Sequence, residues 1–269
     1  ITMSAPFTDD ADTAHLPAGP DARILSLVPS ITELLFEMGL ESQIAGRTAF
    51  CVHPADRVQS IPSVGGTKRI NMEKVAETGA THAIVNVDET PKQMADALAD
   101  TGLQVIVTHP IEARDNLKLF RLIGGLFDRQ DAAETLCVDF DAALTAIDDS
   151  LSARKVLYLI WQDPWLTISS DTYISRFFAL GNLQTIGHDP AVRYPEVVLD
   201  EELLSNADHV LFSTEPFSFT ETHLEEFRAA FPDHAAKAKL IDAEMVSWYG
   251  SRAIAGLRYL ASFHESLKP

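Results

Sequence analysis

From Phe127 to Arg154 the apolar residues Ala133, Leu136, Cys137, Phe140, Ala143, Leu144, Ile147 and Leu151 recur at steps of three and four. That is the period of an amphipathic helix with one buried stripe. No Gly or Pro interrupts the run, so the pattern predicts one helix of about 25 residues, roughly 37 Å long at 1.5 Å per residue. On either side, short β-rich runs alternate with helical patterns. Ile24 to Val28 reads as a buried strand. Ser30 with Glu33 three residues on reads as a capping box for a helix that carries Leu34, Leu35 and Met38 inward and ends at Gly39. Ile44 to Gly46, Ala83 to Asn86 and Gln104 to Thr108 follow as strands. A helix capped by Asn71 and ending at Gly79, and another from about Pro91 to Thr101, lie among them.

Beyond the long helix the same grammar returns. Val156 to Ile160 is a continuous apolar strand, and Asp171 or Thr172 can cap a helix that Gly181 ends. A short helix near Glu201 to Asn206 and the strand His209 to Phe212 come next. A helix capped by Thr220 or Thr222, with Glu225 as box partner, the strand Lys239 to Ile241 and a terminal helix from about Ser251 to Leu267 complete the series. Alternation of this kind favours largely parallel sheets covered by helices on both faces. The expected architecture is α/β: two Rossmann-like lobes, residues 1–126 and 154–269, joined by a single long α-helix over 127–153, with residues 1–21 as an irregular arm or weak hairpin.

Charge narrows the function. The 269 residues carry 39 acidic against 21 basic side chains, a net charge of -18. This argues against nucleic acid and against adsorption to anionic membrane, both of which need clustered Lys and Arg. Cys51 and Cys137 make neither a metal-ligand spacing nor a disulfide framework, and read as free thiols. Cys51 and His53 could both meet a metal only by bending their loop. The chain holds no G-x-G-x-x-G, no complete phosphate-binding loop and no G-x-S-x-G elbow, and no second His partners His264-Glu265. No catalytic or metal-ligating set emerges, and no cofactor. Aromatic residues stand out instead. Trp161 and Trp165 follow one strand, Tyr194 precedes Pro195, and Trp248-Tyr249 lies between the last strand and last helix. Loops at the carboxyl ends of sheet strands are where α/β proteins bind ligands, and rings there offer flat apolar platforms.

The run from Arg23 through Leu34, RILSLVPSITEL, resembles the vitamin B12 and siderophore group of periplasmic substrate-binding proteins that feed ABC importers. So do Val64-Gly65-Gly66, Asn71-Met72-Glu73, and Pro164 with Asp171-Thr172-Tyr173-Ile174. The resemblance implies a non-enzymatic receptor, monomeric and periplasmic, that holds a bulky metal chelate between two lobes and delivers it to an inner-membrane permease. The chelate would be a cobalt corrinoid or, alternatively, a ferric siderophore or haem. A sensing domain or an unrecognised enzyme are the rivals from other classes. Carried over by motif, Phe50 and Tyr194 match cleft aromatics, and Glu73 and Asp200 match the acidic residues that dock on the permease. To these ring contacts the reading adds Trp161, Trp165, Trp248 and Tyr249. Basic loop residues Arg47, Lys68, Arg69, Arg193 and Arg252 would suit a ligand carrying carboxylates. No export signal opens the chain, and Ile1-Thr2-Met3 reads as an addition ahead of the natural segment.

Overall fold

A computed structural model describes residues 6–148 and 150–267. The chain divides into two compact α/β units, each built on a four-stranded, all-parallel sheet. The first comprises residues 1–110, 114–140 and 249–252; the second comprises 111–113, 141–248 and 253–269.

The first unit opens on a two-stranded antiparallel hairpin, β1 (Phe7–Thr8) and β2 (Ala14–His15). The sequence predicts an irregular arm or a weak hairpin over residues 1–21, and their described part holds this one short hairpin. Then come β3 (Ile24–Ser26), α1 (Pro29–Glu37), β4 (Ile44–Arg47), α2 (Met72–Thr78), β5 (His82–Asn86), α3 (Lys92–Asp100), β6 (Gln104–Thr108) and α4 (Asp115–Leu126). Their sheet runs β4-β3-β5-β6. Strand runs of Val, Ile and Leu fit because both faces of such a sheet are covered, so no polar alternation is needed. Local signals explain the boundaries. Asn71 caps α2 by accepting from the amides of Glu73 (2.9 Å) and Lys74 (3.1 Å), and Gly79 ends it at φ 62°.

The long helix is shorter than its periodicity predicts: α5 spans Gln130–Thr145, 16 residues. Phe127 to Arg129 form a turn instead, with Asp128 at φ 57° and the Arg129 amide donating to Gly124 O (2.7 Å). At the other end the Ser150 amide donates to the Asp148 carboxylate (2.8 Å), closing an Asx turn. Residue 149, inside the span expected to be helical, lies outside the described residues. The stripe itself is buried as read, at Ala133, Cys137, Phe140, Ala143 and Ile147. Apolar spacing reports which positions are covered, and a turn can keep that spacing after the helix has ended. α4, which the sequence reading left out, packs closely on α5. A Cβ on Gly124 would come within 2.6 Å of Ala133 Cβ, and Phe120 meets Phe140 edge-on at 6.4 Å.

The second unit contains β7 (Arg154–Leu159), α6 (Tyr173–Leu180), β8 (Leu183–Thr185), α7 (Glu201–Asn206), β9 (His209–Ser213), α8 (Glu221–Ala230), β10 (Ala238–Ile241), α9 (Ala243–Ser247) and α10 (Arg252–Ser266), in sheet order β10-β9-β7-β8. Leu157, Leu159, Val210, Phe212, Leu224 and Phe227 form one core cluster. Thr172 caps α6, its hydroxyl accepting from the Ser175 amide (3.3 Å).

Two caps differ from expectation. Pro29 occupies the first turn of α1, so the cap falls on Val28 and the Ser30–Glu33 box does not form. Thr220 caps α8, which puts His223 rather than Glu225 at the third helical position; the Thr220 amide donates to His223 Nδ1 (3.0 Å).

Candidate functional site

In each sheet the chain runs outward to one neighbour and then crosses back, so strand order reverses between β3 and β5 in the first unit and between β7 and β9 in the second. The crevice past the carboxyl ends of such a strand pair is the natural ligand position in an open parallel sheet, because the two connections leave on opposite faces. Each unit therefore has its own candidate crevice.

In the first unit this crevice is flanked by the start of α1, after β3, and by Asp88-Glu89, after β5. A sequence-distant segment, Tyr249 to Arg252, belongs to the same unit and binds there. The Tyr249 hydroxyl donates to Glu89 (2.5 Å), and the Gly250 amide donates to Asn116 Oδ1 (2.6 Å). Arg252 holds Glu33 through two bonds, Nε to Oε2 at 2.7 Å and Nη2 to Oε1 at 2.5 Å, with the side chains only 13% and 16% exposed. Burial, with the Glu89 carboxylate beside it, pushes the Tyr249 phenol well above its ordinary pKa. Tyr249 and Arg252, expected among the ligand contacts, are thus bound within the unit. Arg47 is buried too, donating to Val58 O (2.9 Å) and Thr48 O (3.0 Å), so it is not a base on an open loop. Of the expected basic contacts, Lys68 and Arg69 are exposed, the Lys68 ammonium lying 3.3 Å from Asp88 O. Phe50 is 60% exposed; its ring rides over Gly66, where an added Cβ would come within 3.2 Å of it.

In the second unit Trp161 follows β7 and is 39% exposed. Phe217, after β9, meets it edge-on with centroids 5.5 Å apart, and the Phe217 amide donates to Ile160 O (3.4 Å), which holds the two switch-point loops together. Glu215 lies two residues before Phe217 and accepts from Trp248 Nε1 (3.1 Å). Trp248 is buried, and Trp165 stacks on Phe219 at 6.1 Å, a core contact. Tyr194 stays 43% exposed beside Arg193, whose guanidinium lies 5.9 Å from the ring centre and whose Nε is 3.5 Å from an Asp171 carboxylate oxygen. The structure therefore keeps Trp161 and Tyr194 open and draws Trp165 and Trp248 inward. Phe217 and Glu215 escaped the sequence reading, although the rule that selected Trp161, a residue just past a strand end, applies to both.

The expected docking acids both stand at helix starts. Glu73 stands exposed in the first turn of α2, and Asp200 caps α7 by accepting from the Leu203 amide (2.9 Å). Both thiols are free and buried, and among the described residues no His, Cys, Asp and Glu cluster could hold a metal ion.

Comparison with known proteins agrees with this architecture. Residues 24–237 match the family described as periplasmic binding protein. The vitamin B12-binding protein of Pectobacterium carotovorum is 19% identical over 199 residues, 72% of each chain. Among solved structures, the periplasmic vitamin B12 binding protein BtuF of Vibrio cholerae superposes with a TM-score of 0.79 at 17% identity, covering 93% of this chain and 98% of that one. The periplasmic heme-binding protein RhuT of Roseiflexus superposes at 0.76 and 17% identity, over 92% and 100%. A component of the Fe3+-hydroxamate transport system of Saccharomonospora viridis does so at 0.75 and 16% identity, over the whole of both chains. With its fold, its strand-end aromatics and a match over residues 24–237, the chain belongs to the periplasmic binding protein family, whose members bind substrates rather than transform them.

Proposed function

We propose that this protein is the periplasmic substrate-binding component of an ABC importer, binding a bulky metal chelate through exposed rings on its strand-end loops and handing it, as a monomer, to an inner-membrane permease. The observation that carries the reading is the exposure of large rings where a parallel sheet binds ligands: Phe50, Trp161 and Tyr194 remain 60%, 39% and 43% exposed on loops that follow strands. Rings left in water at such positions gain apolar burial only when a ligand with a broad flat face covers them. A corrinoid is such a ligand. A haem or ferric siderophore is the second reading, supported by the heme and hydroxamate proteins of similar fold.

Titration with cyanocobalamin, hemin and a ferric hydroxamate tests this, read by tryptophan fluorescence with absorbance corrections. A matching chelate quenches Trp161 emission. Trp161→Ala removes most of the quench and weakens binding by about tenfold or more, as expected for loss of roughly 1.5–3 kcal/mol of ring burial. If no chelate perturbs the emission or raises the thermal midpoint, the reading fails.

A further inference from the structure

His223 in the second unit is held in a way that helix capping alone does not explain. It stands in the first turn of α8, where its Nδ1 accepts from the Thr220 amide (3.0 Å), with the Thr220 hydroxyl 2.9 Å from the same nitrogen. An amide N–H can only donate, so in the neutral ring Nδ1 carries no proton and Nε2 carries it. Among the described residues nothing accepts from that Nε2–H. The ring is half-buried in a row of aromatics. Phe217 meets it edge-on at 5.3 Å and Phe219 at 5.5 Å, and Phe217 in turn meets exposed Trp161 at 5.5 Å. This row lies past the carboxyl ends of β7 and β9, since Phe217 follows β9 and its amide donates to Ile160 O, just beyond β7. A carboxylate at this position would close the same cap and suit the positive end of the helix better. What the imidazole adds is a donor, held by the cap beside rings that a flat ligand would cover.

We propose that His223 is a ligand-orienting residue: fixed as its Nε2–H tautomer, it donates to an oxygen acceptor on the rim of the chelate that covers Trp161 and Phe217, and it does not coordinate the metal. The inference rests on the chelate-binding function above and narrows its substrate class to chelates whose metal is already saturated and whose edge carries carbonyl oxygens. A histidine poised to bind a metal through Nε2 donates its other ring N–H to a carbonyl or carboxylate. Here Nδ1 faces an amide donor, the opposite polarity, and coordination through Nε2 would move the proton to Nδ1 and break the cap. Orientation is what a donor supplies at this place. Ring faces alone accept a disc in any rotation about its normal, whereas one directional hydrogen bond at the edge selects a single rotation.

Two measurements on the full chain test this. Long-range 1H–15N correlation spectra at pH 8, where an ordinary imidazole is neutral, report which nitrogen of His223 holds the proton. Nε2 is the expected answer; a protonated Nδ1 would overturn the proposal while leaving the import function standing. Calorimetric titration with two neutral, saturated chelates, cyanocobalamin and ferrichrome, then compares the wild type with two variants that both keep a capping side chain. His223→Gln offers an acceptor to Thr220 and retains N–H donors, so the tighter probe stays within about threefold. His223→Glu caps at least as well, with a thermal midpoint no lower than the wild type's, but offers no donor; the same probe weakens about tenfold or more as its acceptor loses a partner. A merely capping role predicts unchanged affinity in His223→Glu, and that result would overturn the proposal. Equal weakening in both variants would do the same, by reducing the ring to a packing surface. Hemin, whose iron is open to a further ligand, is the last probe. Binding by hemin alone, or an imidazole-ligated hemin spectrum that His223→Gln abolishes, would also refute the proposal without touching import. If none of the three binds the wild type, chelate binding fails and this inference with it.

Discussion

The Arg252–Glu33 pair separates a structural role from a binding one. Arg252→Met keeps most of the side-chain stem and deletes the guanidinium, leaving a carboxylate that is 16% exposed without the fork that meets it at 2.7 and 2.5 Å. Removing one partner of a fully buried pair costs about 3–5 kcal/mol. Both side chains here keep some contact with solvent, so the expected loss is about 2–4 kcal/mol by the same reasoning. This corresponds to a fall in thermal midpoint on the order of 10 °C. Replacing both residues, as Arg252→Met with Glu33→Leu, removes the stranded charge and should return stability to within about 1 kcal/mol of the wild type. Urea unfolding of the wild type, both single variants and the double variant, followed by near-UV circular dichroism, gives the coupling energy directly. Chelate affinity, measured well below the melting temperature of each variant, should stay within about twofold, because the guanidinium is committed to Glu33. A variant that unfolds at the wild-type urea concentration but no longer binds would refute this, and would make Arg252 the ligand contact that the sequence suggests.

Docking can be probed without disturbing the caps. Glu73→Gln with Asp200→Asn removes both charges, and Asn serves as well as Asp at the start of α7. Transport in a reconstituted importer should fall at least tenfold with ligand affinity unchanged; unaffected transport would show that the permease meets other residues. A second expectation concerns alkaline pH. Burial pushes the phenols of Tyr158 and Tyr249 above their ordinary range, so their neutral forms favour the folded state. That stability is fully present below the unfolded-chain value near pH 10 and is lost as pH rises toward the folded values. Absorbance titration at 295 nm should show these tyrosines ionising only as the protein unfolds; their ionisation with native circular dichroism intact would contradict the burial.

How much of this was legible in the sequence follows from the range over which each signal acts. Strands and caps are local matters. The Val, Ile and Leu runs of β5, β6 and β9, the Asn71 cap with its Gly79 terminator, and the Thr172 cap were all readable, because a few neighbouring residues determine φ and ψ there. The α/β class followed from the alternation of those elements. Helix length was not legible, since the periodic stripe through Ile147 persists past the last turn of α5 and only the Asx turn at Asp148 reveals the stop. Nor was the fate of the site residues. Loop position alone made Phe50, Trp161, Trp248, Tyr249 and Arg252 look alike, but Arg252 met a carboxylate 219 positions away and Tyr249 one 160 positions away. An aromatic or a cation becomes a ligand contact only if the fold leaves it without a better partner. The sequence by itself determined the kind of elements, their order and the acidic balance; the tertiary structure alone decided which rings stay in water and which charges neutralise each other, because both depend on long-range proximity that no local pattern encodes.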